Sequence, residues 1–208
     1  MSGPATTPAL ELGAMTLDGY LDRLAAAVPV PGGGAVAGVT LAQANALGSM
    51  VVGYAIGKAK FAAHDAAHRA AHGAFERGRR RALDLAAQDA EAYGVLNALW
   101  RLPKDDPGRA GFDTAVRAAI AAPEATVMLA AETLVALESL IGTTSASLAS
   151  DLRIAIDLAV VGARAAQENV RINLPSLAAE ADRTEIGTRT EAVLARIAAT
   201  ADAMRARV

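Results

Sequence analysis

The sequence contains no cysteine. Disulfides, thiolate nucleophiles and thiolate metal sites are therefore excluded. Aromatic residues make up only 3% of the 208 positions. The core must then be filled by alanine, leucine and valine, which suit closely packed helices better than sheets. Net charge is small, at −2, so the chain lacks the excess of positive charge that a general nucleic-acid binder uses to neutralise phosphates. Met1–Ala14 carries no positive charge ahead of its apolar residues, so no secretory signal is read there. In contrast, hydrophobic residues reach 53% and charged residues 20%, the balance of a folded chain rather than a disordered one. The length suits one domain with a sizeable core.

Residues 1–14 read as a flexible leader and 15–208 as one all-α domain, a single helical bundle. Thr16 is placed to cap a first helix over 17–27, with Asp18 near its positive end. Pro29 and Pro31 stop that helix. A long segment over 35–56 follows that is nearly uncharged and about long enough to cross a bilayer core of ~30 Å. It carries Thr40, Gln43, Asn45 and Ser49 and lacks aromatic and basic anchors before it. It is read as a long apolar helix buried on all sides, not as a membrane span. A charged helical segment runs over 58–99, with Leu83, Ala87, Ala90 and Tyr93 on one stripe. Further helices are expected over 112–140, broken or kinked at Pro123, over 151–169 after a cap at or near Ser150, and over 175–207.

Six groups of residues have chemical potential. Pro29-Val30-Pro31-Gly32-Gly33-Gly34 stands at the mouth of the apolar helix. Its backbone can approach a ligand closely, and the helix offers free N–H groups; the same glycines also suit two helices crossing closely. Ile56-Gly57-Lys58-Ala59-Lys60-Phe61 sets two lysines at the far end of that helix. They complement its dipole, or handle a proton at a cleft edge. Ser150-Asp151 sets an acid at a helix start, as a cap or as a base facing the interior. Asn169 and Asn173 share a helix face, and their amides can grip a heterocycle or tie helices together. His64, His68 and His72 are spaced for pairwise chelation, yet three ligands to one ion would be strained, and a solvated face with no metal is the expectation. The basic run Arg77–Arg81 reads as a solvated face that could also attract a polyanionic substrate tail.

In their order and spacing, the Pro-Val-Pro-Gly-Gly-Gly, Ile-Gly-Lys, Leu102-Pro103-Lys104, Ser150-Asp151 and Asn169-Val170-Arg171-Ile172-Asn173 segments resemble the cyclodeaminase/cyclohydrolase family. That family comprises the C-terminal part of formiminotransferase-cyclodeaminase and stand-alone methenyltetrahydrofolate cyclohydrolase. The resemblance covers about 17–177. Phe61 stands where the family usually has tyrosine, and Leu152-Arg153 replaces its small residues. The resemblance implies an all-α homodimer and a cytoplasmic, cofactor-independent folate enzyme with no nucleic-acid or membrane partner. The reaction would be hydrolysis of 5,10-methenyltetrahydrofolate to 10-formyltetrahydrofolate, or ammonia-releasing cyclodeamination of a formimino-folate. Lys58, Asp151 and Lys60 are the catalytic candidates. Pro31, Gly32, Gly33, Gly34, Asn169 and Asn173 are the substrate-binding candidates. The alternatives are a diverged relative acting on another nitrogen-containing small molecule, or one that only binds it.

Overall fold

The computed structural model describes residues 12–208; the first eleven positions of the expected leader lie outside the described residues. Leu12–Ala14 form a 3-10 turn that packs Leu12 beside Tyr20, Ala35 and Ala86. Six α-helices follow: α1 (Leu17–Ala25), α2 (Gly33–Gly53), α3 (Asp65–Trp100), α4 (Phe112–Glu138), α5 (Ala149–Asn173) and α6 (Glu180–Arg205). No strand occurs among the described residues. The Thr16 hydroxyl accepts the Gly19 N–H at 3.1 Å and caps α1 as expected.

α2 is the centre of the bundle, and its small residues explain why. A Cβ built on Gly38 would stand 2.7 Å from both the Ala82 carbonyl and the Ala86 methyl of α3. On the other side, Gly162 of α5 sits against Ala37 and Leu41. Residues with bulkier side chains could not bring the backbones this close. The pairings also fix direction. Gly34 lies by Asp89 and Gly48 by Phe75, so α3 runs antiparallel to α2. Gly33 lies by Asn169, so α5 does too. Asn45 binds Thr133 at 3.1 Å and Gly48 lies by Leu137, so α4 runs parallel to α2 behind it. α6 packs on α4 and α5, closing a core around Leu41, Phe75, Leu134, Ile156 and Met204.

Pro123 lies inside α4 without ending it. Its missing N–H frees the Ala119 carbonyl one turn earlier, and the Asn173 amide donates to that oxygen at 3.3 Å. Several boundaries differ from expectation: α3 starts at Asp65, after a separate 3-10 turn over Ala59–His64, and α5 runs on to Asn173. Ser150 lies inside the first turn of α5, whose N-cap position is Leu148 with no side-chain cap. α6 starts at Glu180 because Pro175 is taken up in a separate 3-10 turn, Leu174–Ser176.

α2 and the segment Pro107–Glu138 are both long and apolar enough to cross a membrane, yet most of each is buried in the bundle. The burial of α2 in a single chain is not complete. Val36, Gln43, Ala46 and Gly53 are exposed, and Thr40, Leu47 and Met50 are half-buried between them. These positions form one uncharged stripe along the whole helix.

Candidate functional site

The N-terminal end of α2 meets the C-terminal ends of α3 and α5, and an open cleft of about 340 Å³ lies between them. Pro29, Val30 and Gly32–Gly34 form one wall, Asn169, Ile172 and Asn173 a second, and Asp89, Tyr93 and Trp100 of α3 the third. The Val30–Pro31 peptide is cis. Asp89 is the distinctive group. Its carboxylate packs on Gly34 so closely that a Cβ there would stand 1.9 Å from Oδ2. Burial pushes its pKa up to about 6, and no cation or hydrogen-bond donor among the described residues offsets that burial. The Tyr93 and Trp100 rings meet edge to face at 6.3 Å, and Phe112 backs Trp100 at 6.4 Å. The Arg109 guanidinium lies 4.3 Å over the Phe112 ring.

The asparagines divide between structure and site. Asn173 is buried, and its Nδ2 donates to both Ala119 and Asn169 carbonyls, at 3.3 and 2.9 Å. Both amide hydrogens are used, so only its oxygen is left for a ligand. Asn169 donates once, to the Ala165 carbonyl at 2.9 Å, and its side chain lies beside Gly33. One N–H and the oxygen are free to face the cleft.

Lys58, Lys60 and Asp151 are not in this cleft. They lie at the opposite end, where α2 finishes and α5 begins. The 21 residues of α2 separate the two ends by about 30 Å at 1.5 Å per residue. Both lysines are exposed and Asp151 is half-buried. Gly57 takes φ +72°, a conformation that favours glycine, and its N–H donates to Asp65 at 2.8 Å. That bond and the Arg69 guanidinium hold the Asp65 carboxyl below its usual range. Lys60 Nζ lies 5.3 Å from the centre of the Phe61 ring.

The histidine stretch is not the uniformly solvated face expected from spacing. His68 is 1% exposed, edge-on to Phe61 and 3.2 Å from the Thr143 hydroxyl. Thr143 donates to the Ser139 carbonyl at 2.8 Å, so it accepts from His68 Nε2–H. Burial, together with the neighbouring His64, lowers the His68 pKa. Its role is to join α3 to the turn after α4. Among the described residues no group of three His, Asp or Glu side chains could hold a metal ion.

Sequence reasoning missed Asp89 and Trp100 and took Tyr93 only as a core residue. A signal was present. Asp89 lies four residues after Leu85 and four before Tyr93, between the buried Ala86 and Ala90. A carboxylate on the apolar stripe of a helix is costly unless it has a function.

Comparison with known proteins agrees with the all-helical fold. The family model described as formiminotransferase-cyclodeaminase matches residues 16–192. A methenyltetrahydrofolate cyclohydrolase of Methylorubrum extorquens is 30% identical over 167 residues, covering 78% of this chain and 80% of the relative. A crystal structure of formiminotetrahydrofolate cyclodeaminase from Thermotoga maritima superposes with a TM-score of 0.83 at 27% identity, covering 93% of this chain and 97% of that one. This chain therefore belongs to the formiminotransferase-cyclodeaminase family.

Proposed function

We propose that the protein is a cytoplasmic folate one-carbon enzyme that hydrolyses 5,10-methenyltetrahydrofolate to 10-formyltetrahydrofolate without a metal or redox cofactor. The observation that carries this reading is the cleft at the glycine end of α2. It combines backbone open to close approach, one wall with two aromatic rings and a half-buried carboxylate with no cation beside it among the described residues. That chemistry suits a flat, donor-bearing heterocycle. The relative from Methylorubrum extorquens carries the cyclohydrolase name.

The enzyme acts as a homodimer. The stripe Val36, Gln43 and Met50 continues across the cleft rim to Ile172 and along α5 to Val161 and Ile154, which are 72%, 53% and 49% exposed. Two copies related by a two-fold axis bury such a face against itself. With Gln43, the middle of α2, on the axis, the paired helices run antiparallel. Each glycine cleft then lies beside the lysine end of the partner. The candidates that stand at opposite ends of one chain thereby form two complete sites.

In each site Asp151 takes the proton from water as it adds to the carbon between N5 and N10. The positive charge on that amidinium carbon is lost as the C–O bond forms. Lys58 then donates a proton to N5 as the C–N5 bond breaks, and the hydroxyl proton passes to solvent as the C=O of the formyl group on N10 forms. Lys60 is the second candidate for that proton. Gly32–Gly34 and Asn169 hold the ring system, with Pro31 fixing the turn before them. The same groups suit attack of N10 on a formimino carbon with loss of ammonia, the reading favoured by the cyclodeaminase structural neighbour.

The test is the loss of near-ultraviolet absorbance of 5,10-methenyltetrahydrofolate against the uncatalysed rate. Acceleration that disappears in Lys58→Ala and Asp151→Asn supports the assignment. Ammonia released from 5-formiminotetrahydrofolate identifies the cyclodeaminase direction instead. A folded dimer that does neither moves the search to other nitrogen-containing substrates.

A further inference from the structure

We infer that Asp89 is the specificity residue of the cleft, a carboxylate that grips the N3–H and 2-amino edge of a 2-amino-4-oxopyrimidine ring. The inference rests on the folate reading of the same site and names which part of the ligand goes where. Asp89 projects from the stripe of α3 that faces α2, and it lies against Gly34, which is buried, rather than Gly33, which is exposed. It is therefore at the cleft floor, away from the α2 stripe. The reacting carbon needs water and proton carriers, and these enter at the mouth. The floor thus receives the end of the ligand that does not react.

The chemistry of that end is fixed by what the floor lacks. Asp89 has two acceptor oxygens and no donor or cation opposite them among the described residues. A half-buried carboxylate in that condition selects a ligand edge presenting two parallel N–H donors. Gly34 lets the carboxylate occupy its place. Tyr93 stands one turn further along α3, placed to cover the face of a ring whose edge meets Asp89.

Trp100 is the only tryptophan in the chain and lines the cleft, so its fluorescence reports binding directly. The experiment titrates the dimer with tetrahydrofolate and with its 2-desamino-2-methyl analogue, for wild type and for Asp89→Asn. Asparagine keeps the shape; with its oxygen on N3–H, which both ligands share, its amide donor faces the 2-amino group. Wild type should prefer the 2-amino ligand roughly a hundredfold, and Asp89→Asn should lose about that factor for tetrahydrofolate while treating both ligands within about threefold of each other. Circular dichroism confirms that the variant is folded. Equal wild-type affinity for the two ligands overturns the inference. So does an Asp89→Asn variant that weakens both alike, because a merely structural role has that signature. Wild type that binds no tetrahydrofolate at all overturns the folate reading itself, a result distinct from the other two.

Discussion

Replacing Asp89 by asparagine should make the ligand-free protein more stable while weakening ligand binding. The native carboxyl titrates at about 6 against an ordinary 3.8, and burial is the cause. The sign follows from proton binding. The native state holds this proton more tightly than the unfolded state, so the contribution of Asp89 to stability is fully present below pH 3.8 and is lost as pH rises toward 6. Each pH unit in that interval is worth about 1.4 kcal/mol, which accumulates to about 3 kcal/mol by pH 7.5 and about half of that at pH 5. Asp89→Asn removes the ionisation and keeps the volume. Urea unfolding at fixed protein concentration should then give the variant an advantage of about 3 kcal/mol at pH 7.5 and about 1.5 kcal/mol at pH 5. The melting temperature at pH 7.5 should rise by about 6–12 °C for a chain of this size. An unchanged or lowered stability at pH 7.5 would refute the reasoning. A gain that does not shrink between pH 7.5 and pH 5 would do the same, since it could not come from the charge.

Lys58→Ala and Asp89→Asn should each be nearly inactive alone, yet a 1:1 mixture refolded together should recover about a quarter of wild-type activity, because half the dimers are mixed and each has one intact shared site; no recovery would refute the shared site and with it the role given to Lys58. Gln43→Arg places two like charges at the proposed axis and should yield a folded monomer by light scattering, with hydrolysis lost; an intact dimer would refute the antiparallel pairing. Gly38→Ala forces a methyl to within 2.7 Å of the Ala82 carbonyl and should cost about 1–3 kcal/mol in denaturant unfolding, whereas Gly53→Ala meets nothing within 4 Å and should be neutral or slightly stabilising. Asn173→Leu should cost about 1–3 kcal/mol by orphaning the Ala119 carbonyl, and less in a Pro123→Ala background, where the restored N–H takes that carbonyl; additive effects in the double-mutant cycle would disprove the pairing.

The helices were legible in the sequence because their signals are local. Thr16 caps α1, the Pro-Gly-Gly-Gly turn starts α2, and apolar spacing runs on through α3 to α5. Pro123 was legible only in part. It marks a perturbed helix, but α4 continues because Asn173, 50 positions later and on another helix, takes the freed carbonyl. No local rule contains that partner. Asp89 was missed for a related reason. In a helix that also carries Arg77–Arg81, Asp84 and Glu91, one more acid reads as surface, and only its packing on Gly34 reveals that it lines the cleft.

The division of the site across the molecule has a simpler origin that the sequence does contain. In an antiparallel bundle, the segments before and after any one helix lie at opposite ends. The glycine turn precedes α2 and the lysine segment follows it, so no folding of a single chain brings Gly33 to Lys58 while α2 is intact. Asp151 and Asn169 start and finish α5, and the same holds for them. The residues therefore sort by end: glycines, Asp89 and Asn169 at one, Lys58, Lys60 and Asp151 at the other. Two motifs flanking one unbroken helix of 21 residues can belong to one site only if a second copy supplies one of them. The uncharged stripe along α2 is the surface on which that copy would sit. The dimer is thus a geometric requirement of the lysine assignment, and the mixed-dimer experiment tests the two together.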